Sequence, residues 1–348
     1  MKAAVCYGGG IVRYEDWETP ETLPGTVKIR VREAGICGSD LIRALGQGAH
    51  YYPIILGHEL AGIVEEVGEG VTKVKREDHV VGVPLIPCFK CEDCRNHNYS
   101  LCKHYSFIGS REAGAFADYV LVPEANAFRV DSTIPFGDAV FFEPSTVALH
   151  GLLLTDYQPG KTAVVLGGGT IGIFTLQWAK ILGARKVVVI GRDKNHLELS
   201  LRMGADAVVS TLDDGFMEKA LQLSDKAGYD YVFEAAGSTS TMGYVFQLAA
   251  NKAKVCFIGT PTENFTVTPK IWEQINRKEL MMVGSWMSYS SPFPGYEWEM
   301  TDKHFSTGQL WIDPQMVYRR LHMSQAQIAF DLFRSHGKVK GRVVLCND

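Results

Sequence analysis

The chain has 348 residues, long for a single hydrophobic core, so two domains are expected. Its 46% hydrophobic and 21% charged residues are those of an ordinary globular protein. The formal net charge of −4, with lysine and arginine scattered, argues against the basic face of a nucleic-acid binder. No run approaches the ~18 consecutive apolar residues of a bilayer span. The opening Met1-Lys2-Ala3-Ala4-Val5-Cys6 lacks the apolar stretch of a signal peptide, so a cytoplasmic protein without membrane partners is expected.

From residue 1 to about 150, short apolar runs (27–31, 61–67, 80–83 and 116–122) are broken by glycines, the pattern of an all-β domain of short strands. Eight cysteines in a reducing compartment are not expected to pair as disulfides. Cys6, Cys256 and Cys346 sit in or beside apolar runs and read as inert core residues. Cys88-x2-Cys91-x2-Cys94-x7-Cys102 places four thiolates in one polar lobe, about residues 86–104, which suits a tetrahedral structural zinc. An iron–sulfur cluster or a free-standing zinc ribbon would use similar donors. The acidic Glu92 and Asp93 and the rest of the chain favour a lobe that stiffens the domain.

A second set of donors is dispersed: Cys37 in Gly35-Ile36-Cys37-Gly38-Ser39-Asp40, His58 beside Glu59, and Glu143 in Phe142-Glu143-Pro144. Singly, these read as a buried thiol, a core histidine and a carboxylate at a helix start. Together, Cys37, His58 and Glu143 make the three-ligand shell of a catalytic zinc, which keeps one position open.

Between about 155 and 285 strands alternate with amphipathic stretches. Strands are expected at 162–166, 186–190, 207–209, 231–234, 254–258 and 280–283, with helices at 171–182 and 197–203. The alternation implies an α/β, doubly wound parallel sheet. Gly167-Gly168-Gly169-Thr170-Ile171-Gly172 fits G-x-G-x-x-G between the first of these strands and its helix, the context of a dinucleotide site. Gly167 permits the turn, Gly169 the approach of the pyrophosphate, and Gly172 close packing of helix on strand; the free N–H groups of the helix start favour the anion. The second strand ends in Gly191-Arg192-Asp193. Glycine at the usual place of the ribose-binding acid, followed by an arginine suited to phosphate, favours NADP over NAD. Asp193 swinging back as the ribose acid would reverse that preference. Residues 290–295 are loop-like, and a helix and a last strand at 341–345 follow. The expected domains are therefore 1–150 with 287–348, and 151–286.

Gly57-His58-Glu59-x2-Gly62-x5-Gly68-x2-Val71, with Cys37-Gly38-Ser39-Asp40, the four-cysteine lobe and the glycine motif, resembles the medium-chain zinc alcohol dehydrogenases over essentially the whole chain. The resemblance implies a GroES-like catalytic domain and a Rossmann domain. Glu143 in place of a cysteine ligand is similar to the polyol dehydrogenase branch. The stretches 48–53, 107–111 and 284–292 resemble its polyol-phosphate members, which implies reversible oxidation of a secondary alcohol, of the galactitol 1-phosphate to tagatose 6-phosphate type. By the same resemblance, Cys37, His58 and Glu143 correspond to catalytic zinc ligands, Glu59 to a nearby acid that replaces water on the metal, and Asp40 to the carboxylate that orients the histidine. A homodimer or homotetramer is implied as well. Two departures stand out: Gly191 replaces the family's acid, and Ile42 occupies the place of a proton-relay histidine.

The expected chemistry is Lewis-acid activation of the substrate hydroxyl and hydride transfer to nicotinamide, with Ser39, two residues past Cys37, taking the proton. An unphosphorylated polyol or a sugar acid (sorbitol or galactonate type) is the alternative substrate. Arg43, His50, Arg111 and Lys270 are the basic residues able to meet a phosphate. A silent nucleotide-binding sensor on the same fold would lack Cys37, His58 or Glu143, and all three are present.

Overall fold

The computed structural model describes every residue except 226, 227, 336 and 348. The chain divides into two compact units, Met1–Glu143 with Tyr289–Asp348, and Pro144–Ser288. The first junction lies inside the helix Phe142–Leu154, a continuity that the change of sequence pattern near residue 150 does not register. No helix among the described residues is long and apolar enough to cross a membrane.

The first unit is a β structure. Its main sheet runs in spatial order Ala127–Arg129, His79–Gly82, Glu59–Val67, Thr26–Gly35, Arg342–Cys346 and Val317–His322, with Tyr119–Pro123 also paired to Thr26–Gly35. Strand Thr26–Gly35 alternates buried Val27, Ile29 and Val31 with half-exposed neighbours, the period-two burial of a sheet with one wet face. Residues 116–118, expected to open the strand 116–122, instead lead into it; the strand starts at Tyr119. Ala117 makes only an isolated bridge to Ala3, and Phe116 is buried against Phe330.

Register brings three strand ends together. Gly35 pairs with Glu59 on one side and with Val344 on the other. Cys37 therefore follows one strand end, His58 precedes another strand start, and Arg342 opens the last strand beside them. Glycine is required at these crossings. A Cβ on Gly35 would overlap Glu59 Oε2, and one on Gly62 would overlap the Arg30 carbonyl.

The second unit is a six-stranded, all-parallel sheet in the order Ala207–Ser210, Lys186–Gly191, Thr162–Leu166, Tyr229–Glu234, Ala249–Phe257, Met281–Gly284. The chain starts in the middle, winds outward one way, returns and winds the other way. The first strand, Thr162–Leu166, is buried throughout, as a strand covered on both faces must be. A switch point of this kind opens a crevice at the carboxyl ends of the central strands.

Candidate active site and cofactor cleft

Helix Gly38–Leu45 begins at Cys37 and carries Asp40 in its first turn, fully buried. That carboxylate addresses two partners. Its Oδ2 accepts from the Cys37 backbone N–H at 3.0 Å, and its Oδ1 lies 3.5 Å from His58 Nδ1. One side chain thus holds the Cys37 backbone and faces Nδ1 of the His58 ring. Burial alone would disfavour a charged His58, but Asp40 and the Cys37 sulfur overcome it and raise its pKa well above the usual value.

Donor atoms of Cys37, His58 and Glu59 lie within 4.8 Å of one another, and among the described residues this is one of two groupings able to hold a metal ion. Glu59 is 1% exposed. Its Oε1 is 3.1 Å from Arg342 Nη2, while its Oε2 has no hydrogen-bond partner. Burial raises the Glu59 pKa against the opposing pull of Arg342 and His58. Glu143 stands beside this group rather than within it. Desolvation pushes its carboxyl up to about 7, with His58 and Arg342 lowering it and Glu59 and Asp40 raising it. Three carboxyls and a thiol thus share a pocket whose permanent cation is Arg342. An orphaned carboxylate oxygen and raised carboxyl pKa values mark a place that wants positive charge, and the S, N, O donor set suits zinc.

Arg342 is the residue that sequence reasoning missed. It comes from the chain's last strand, is 12% exposed at its side chain, and also donates to the Ile36 carbonyl at 3.1 Å. Nothing local in Gly341-Arg342-Val343 distinguishes it; only the pairing of the last strand with Thr26–Gly35 brings it in. Tyr289 was missed too. Buried, it accepts from the Leu85 N–H at 3.2 Å, and burial and the Glu143 charge raise its phenol. Ser39, half-buried, follows Cys37 by two residues on the same helix.

The four lobe cysteines form the second grouping, and all are free thiols. Cys88 Sγ lies 3.9 Å from Cys94 Sγ, and Cys91 Sγ 3.8 Å from Cys102 Sγ. A tetrahedron with 2.3 Å Zn–S bonds has edges of about 3.8 Å, so these sulfurs stand at the right separation for one zinc. Backbone N–H groups of Lys90 and Cys91 donate to Cys88 Sγ and bring its thiol down to about 6. Burial raises Cys94 and Cys102.

In the second unit, Gly167 has φ +106° at the end of strand Thr162–Leu166, a conformation that favours glycine. A Cβ on Gly172 would overlap the Gly167 carbonyl oxygen, whereas one on Gly169 would project into open space. Gly169 caps the helix Thr170–Ile181, whose first N–H groups, those of Thr170 and Ile171 among them, lack intrahelical acceptors. The cleft, about 440 Å3, is lined by Gly167, Gly168, Gly169, Gly191, Arg192, Asp193 and Thr211 among others. Asp193 Oδ1 accepts from the His196 N–H at 3.1 Å and caps the helix Lys194–Arg202. Arg192 is exposed at the rim. The opposite wall is held by buried Glu234, which accepts from the N–H groups of Ala236 and Gly237 and from Thr241 Oγ1.

A parallel sheet with a dinucleotide-type glycine turn in one unit, and two metal-donor clusters in a β unit, define the zinc-dependent medium-chain dehydrogenases. Residues 23–132 match the alcohol dehydrogenase GroES-like domain and residues 170–302 the zinc-binding dehydrogenase domain. The chain belongs to this family: it is an oxidoreductase, a zinc-type alcohol or polyol dehydrogenase that uses a nicotinamide cofactor. It is 36% identical to galactitol 1-phosphate 5-dehydrogenase of Escherichia coli K12 over 99% of both chains. The crystal structure of the Escherichia coli galactitol-1-phosphate dehydrogenase superposes with TM-score 0.92 at 36% identity over 100% of both chains. A zinc-binding dehydrogenase from Sinorhizobium meliloti, solved bound to NADP, gives TM-score 0.90 at 30% identity over 99% of both chains.

Proposed function

We propose that the enzyme reversibly oxidises a secondary alcohol of a polyol phosphate, of the galactitol 1-phosphate to tagatose 6-phosphate type, with NADP. The carrying observation is the buried cluster of Cys37, His58 and Glu59, with one Glu59 oxygen unpartnered. In this reading Cys37, His58 and Glu143 hold the catalytic zinc, Glu59 is the acid able to enter its shell, and Cys88, Cys91, Cys94 and Cys102 hold a structural zinc, two ions per chain. When bound, the catalytic zinc supplies Lewis acidity that lowers the pKa of an alcohol hydroxyl, and the nicotinamide supplies the hydride acceptor.

The chain's own residues do the rest. Asp40 holds the His58 ring in orientation. Arg342 keeps Glu59 paired and away from the open position. Ser39 accepts the substrate's proton and passes it to solvent or to the cofactor ribose; with Ile42 exposed at the next candidate position, no imidazole follows it there. Gly167, Gly169, Thr170, Ile171 and Gly172 receive the pyrophosphate. Gly191 leaves room for a 2′-phosphate and Arg192 binds it. The engagement of Asp193 as a helix cap supports this cofactor reading, as does the NADP held by the Sinorhizobium relative. Full-length similarity to the galactitol 1-phosphate enzyme supports the substrate class. A homodimer or homotetramer is proposed, supported by the exposed apolar residues Met281 and Met282 on the edge strand of the second unit.

The test follows nicotinamide absorbance while the zinc-loaded enzyme meets tagatose 6-phosphate, with NADPH and NADH in parallel and free ketoses as controls. Turnover that requires the phosphate and prefers NADPH is the expected result. Turnover of a free ketose or sugar acid alone overturns the substrate, and preference for NADH overturns the roles of Gly191 and Arg192.

A further inference from the structure

Arg43 lies on the helix Gly38–Leu45 that starts at Cys37, four residues past Ser39. Residues four apart stack on one helix face, and a helical side chain leans back toward the N-terminus. Arg43 and Ser39 therefore share one face of the helix that starts at Cys37. It is only partly exposed, and its Nη1 is buried without a hydrogen-bond partner. Arg342 also has an unpartnered Nε, but its guanidinium is paired with Glu59 through Nη2. A desolvated guanidinium nitrogen with no acceptor is a costly arrangement unless an anion completes it.

A second basic residue, Arg111, is tied to the His58 side of the site through Phe107. Phe107 packs edge-on against His58, ring centroids 5.5 Å apart, and its carbonyl accepts from the N–H groups of Ser110, Arg111 and Glu112. The loop bearing Arg111 therefore hangs from the residue that touches the metal-site histidine. Two adjacent tyrosines tie the arginine segments together: Tyr52 Oη donates to the Arg43 carbonyl at 2.6 Å, and Tyr51 Oη to the Arg111 carbonyl at 3.4 Å. The Arg111 guanidinium donates to the Tyr105 carbonyl and lies 4.3 Å over its ring, which holds it in place with further N–H groups turned outward. His50 and Lys270 are exposed, and Lys270 belongs to the other unit.

We propose that Arg43, assisted by Arg111, is the anion subsite that binds the phosphate monoester of the substrate while the reacting carbon sits at the metal pocket. The proposal rests on the polyol-phosphate reading above and assigns the residues that would enforce it. A planar fork of N–H donors matches phosphate oxygens. Arg43 lies roughly 9 Å along the helix from Cys37, so an arginine reaching back from it meets the far end of a polyol chain rather than the carbon being oxidised.

The experiment compares wild type, Arg43→Met, Arg43→Lys and Arg111→Met on tagatose 6-phosphate and on free tagatose, with thermal midpoints and zinc content measured on each. Arg43→Met should lose roughly 10- to 100-fold in kcat/KM on the phosphate through KM, keep its rate on free tagatose, and recover partly as Arg43→Lys. Inorganic phosphate should compete with the sugar phosphate in wild type and far less in Arg43→Met. Equal losses on both substrates, or phosphate competition unchanged in Arg43→Met, overturn the subsite while a phosphate-requiring wild type leaves the substrate reading standing. A wild type indifferent to the phosphate overturns the substrate reading itself.

Discussion

Replacing Arg342 by methionine tests the electrostatic frame of the site directly. The substitution keeps an apolar stem but removes the cation 3.1 Å from Glu59 Oε1 and the donor to the Ile36 carbonyl. Breaking a buried pair by removing one partner typically costs about 3–5 kcal/mol. Here the carboxyl has an escape, because it takes up a proton instead of staying charged. From its ordinary value of 4.5, protonation at pH 7 costs at most about 3.4 kcal/mol. The raised value that burial already imposes reduces this, and the lost bond to Ile36 adds about 1 kcal/mol. The expected loss at neutral pH is therefore about 2–4 kcal/mol. With Arg342 gone, the folded-state pKa of Glu59 moves further above its unfolded value. The folded state then holds a proton that the unfolded state releases, so stability falls as pH rises between the two values. Urea midpoints of the metal-free variant and metal-free wild type should diverge more at pH 8 than at pH 5. Arg342→Met with Glu59→Gln should recover most of the loss and flatten its pH dependence. A single variant within about 0.5 kcal/mol of wild type, or a deficit that grows toward acid pH, would refute the pairing.

Three further outcomes are expected. Glu143→Ala should lose the catalytic zinc while the lobe retains its own, so metal analysis falls to half; two intact ions would remove Glu143 from the ligand set. Asp193→Ala should cost about 1 kcal/mol, the worth of a helix cap, and leave the NADPH to NADH ratio unchanged, whereas Arg192→Ala should shift that ratio toward NADH; a shift from Asp193→Ala alone would make Asp193 a ribose ligand. Ser39→Ala should slow turnover by roughly a hundredfold with both zinc ions bound, and an unchanged rate across the pH range would end the relay role.

Much of the fold was legible because its signals are local. Strand Thr162–Leu166 and the helix after it announce themselves by an apolar run, a glycine turn and a helical period within two dozen residues. The physical reasons for two of the glycines, a positive φ at Gly167 and a backbone in the way at Gly172, are ones that sequence spacing already encodes. The four lobe cysteines are legible for the same reason, since fifteen residues hold the whole shell. Boundaries were less legible where tertiary pairing decides them. Strand Ala249–Phe257 begins well before its apolar stretch, through the exposed Asn251 and Lys252, because its neighbour Tyr229–Glu234 offers ladder partners as early as Ala249.

The charge balance of the active site is the part that no window of sequence contains. Cys37, His58 and Glu59 are visible as motif residues, but what sets their chemistry is that Gly35 pairs with both Glu59 and Val344. That register delivers Arg342 from the other end of the chain to the carboxylate of Glu59. It also explains why glycine precedes the Cys37 segment: a side chain at Gly35 would occupy the space of Glu59 Oε2, the oxygen left without a partner. A catalytic metal pocket must hold an acid close enough to enter the ion's shell and restrained enough to stay out of it. In the proposed mechanism Arg342 on one oxygen would supply the restraint, the partnerless oxygen would be the one to enter the shell, and Gly35 leaves the space that this oxygen occupies.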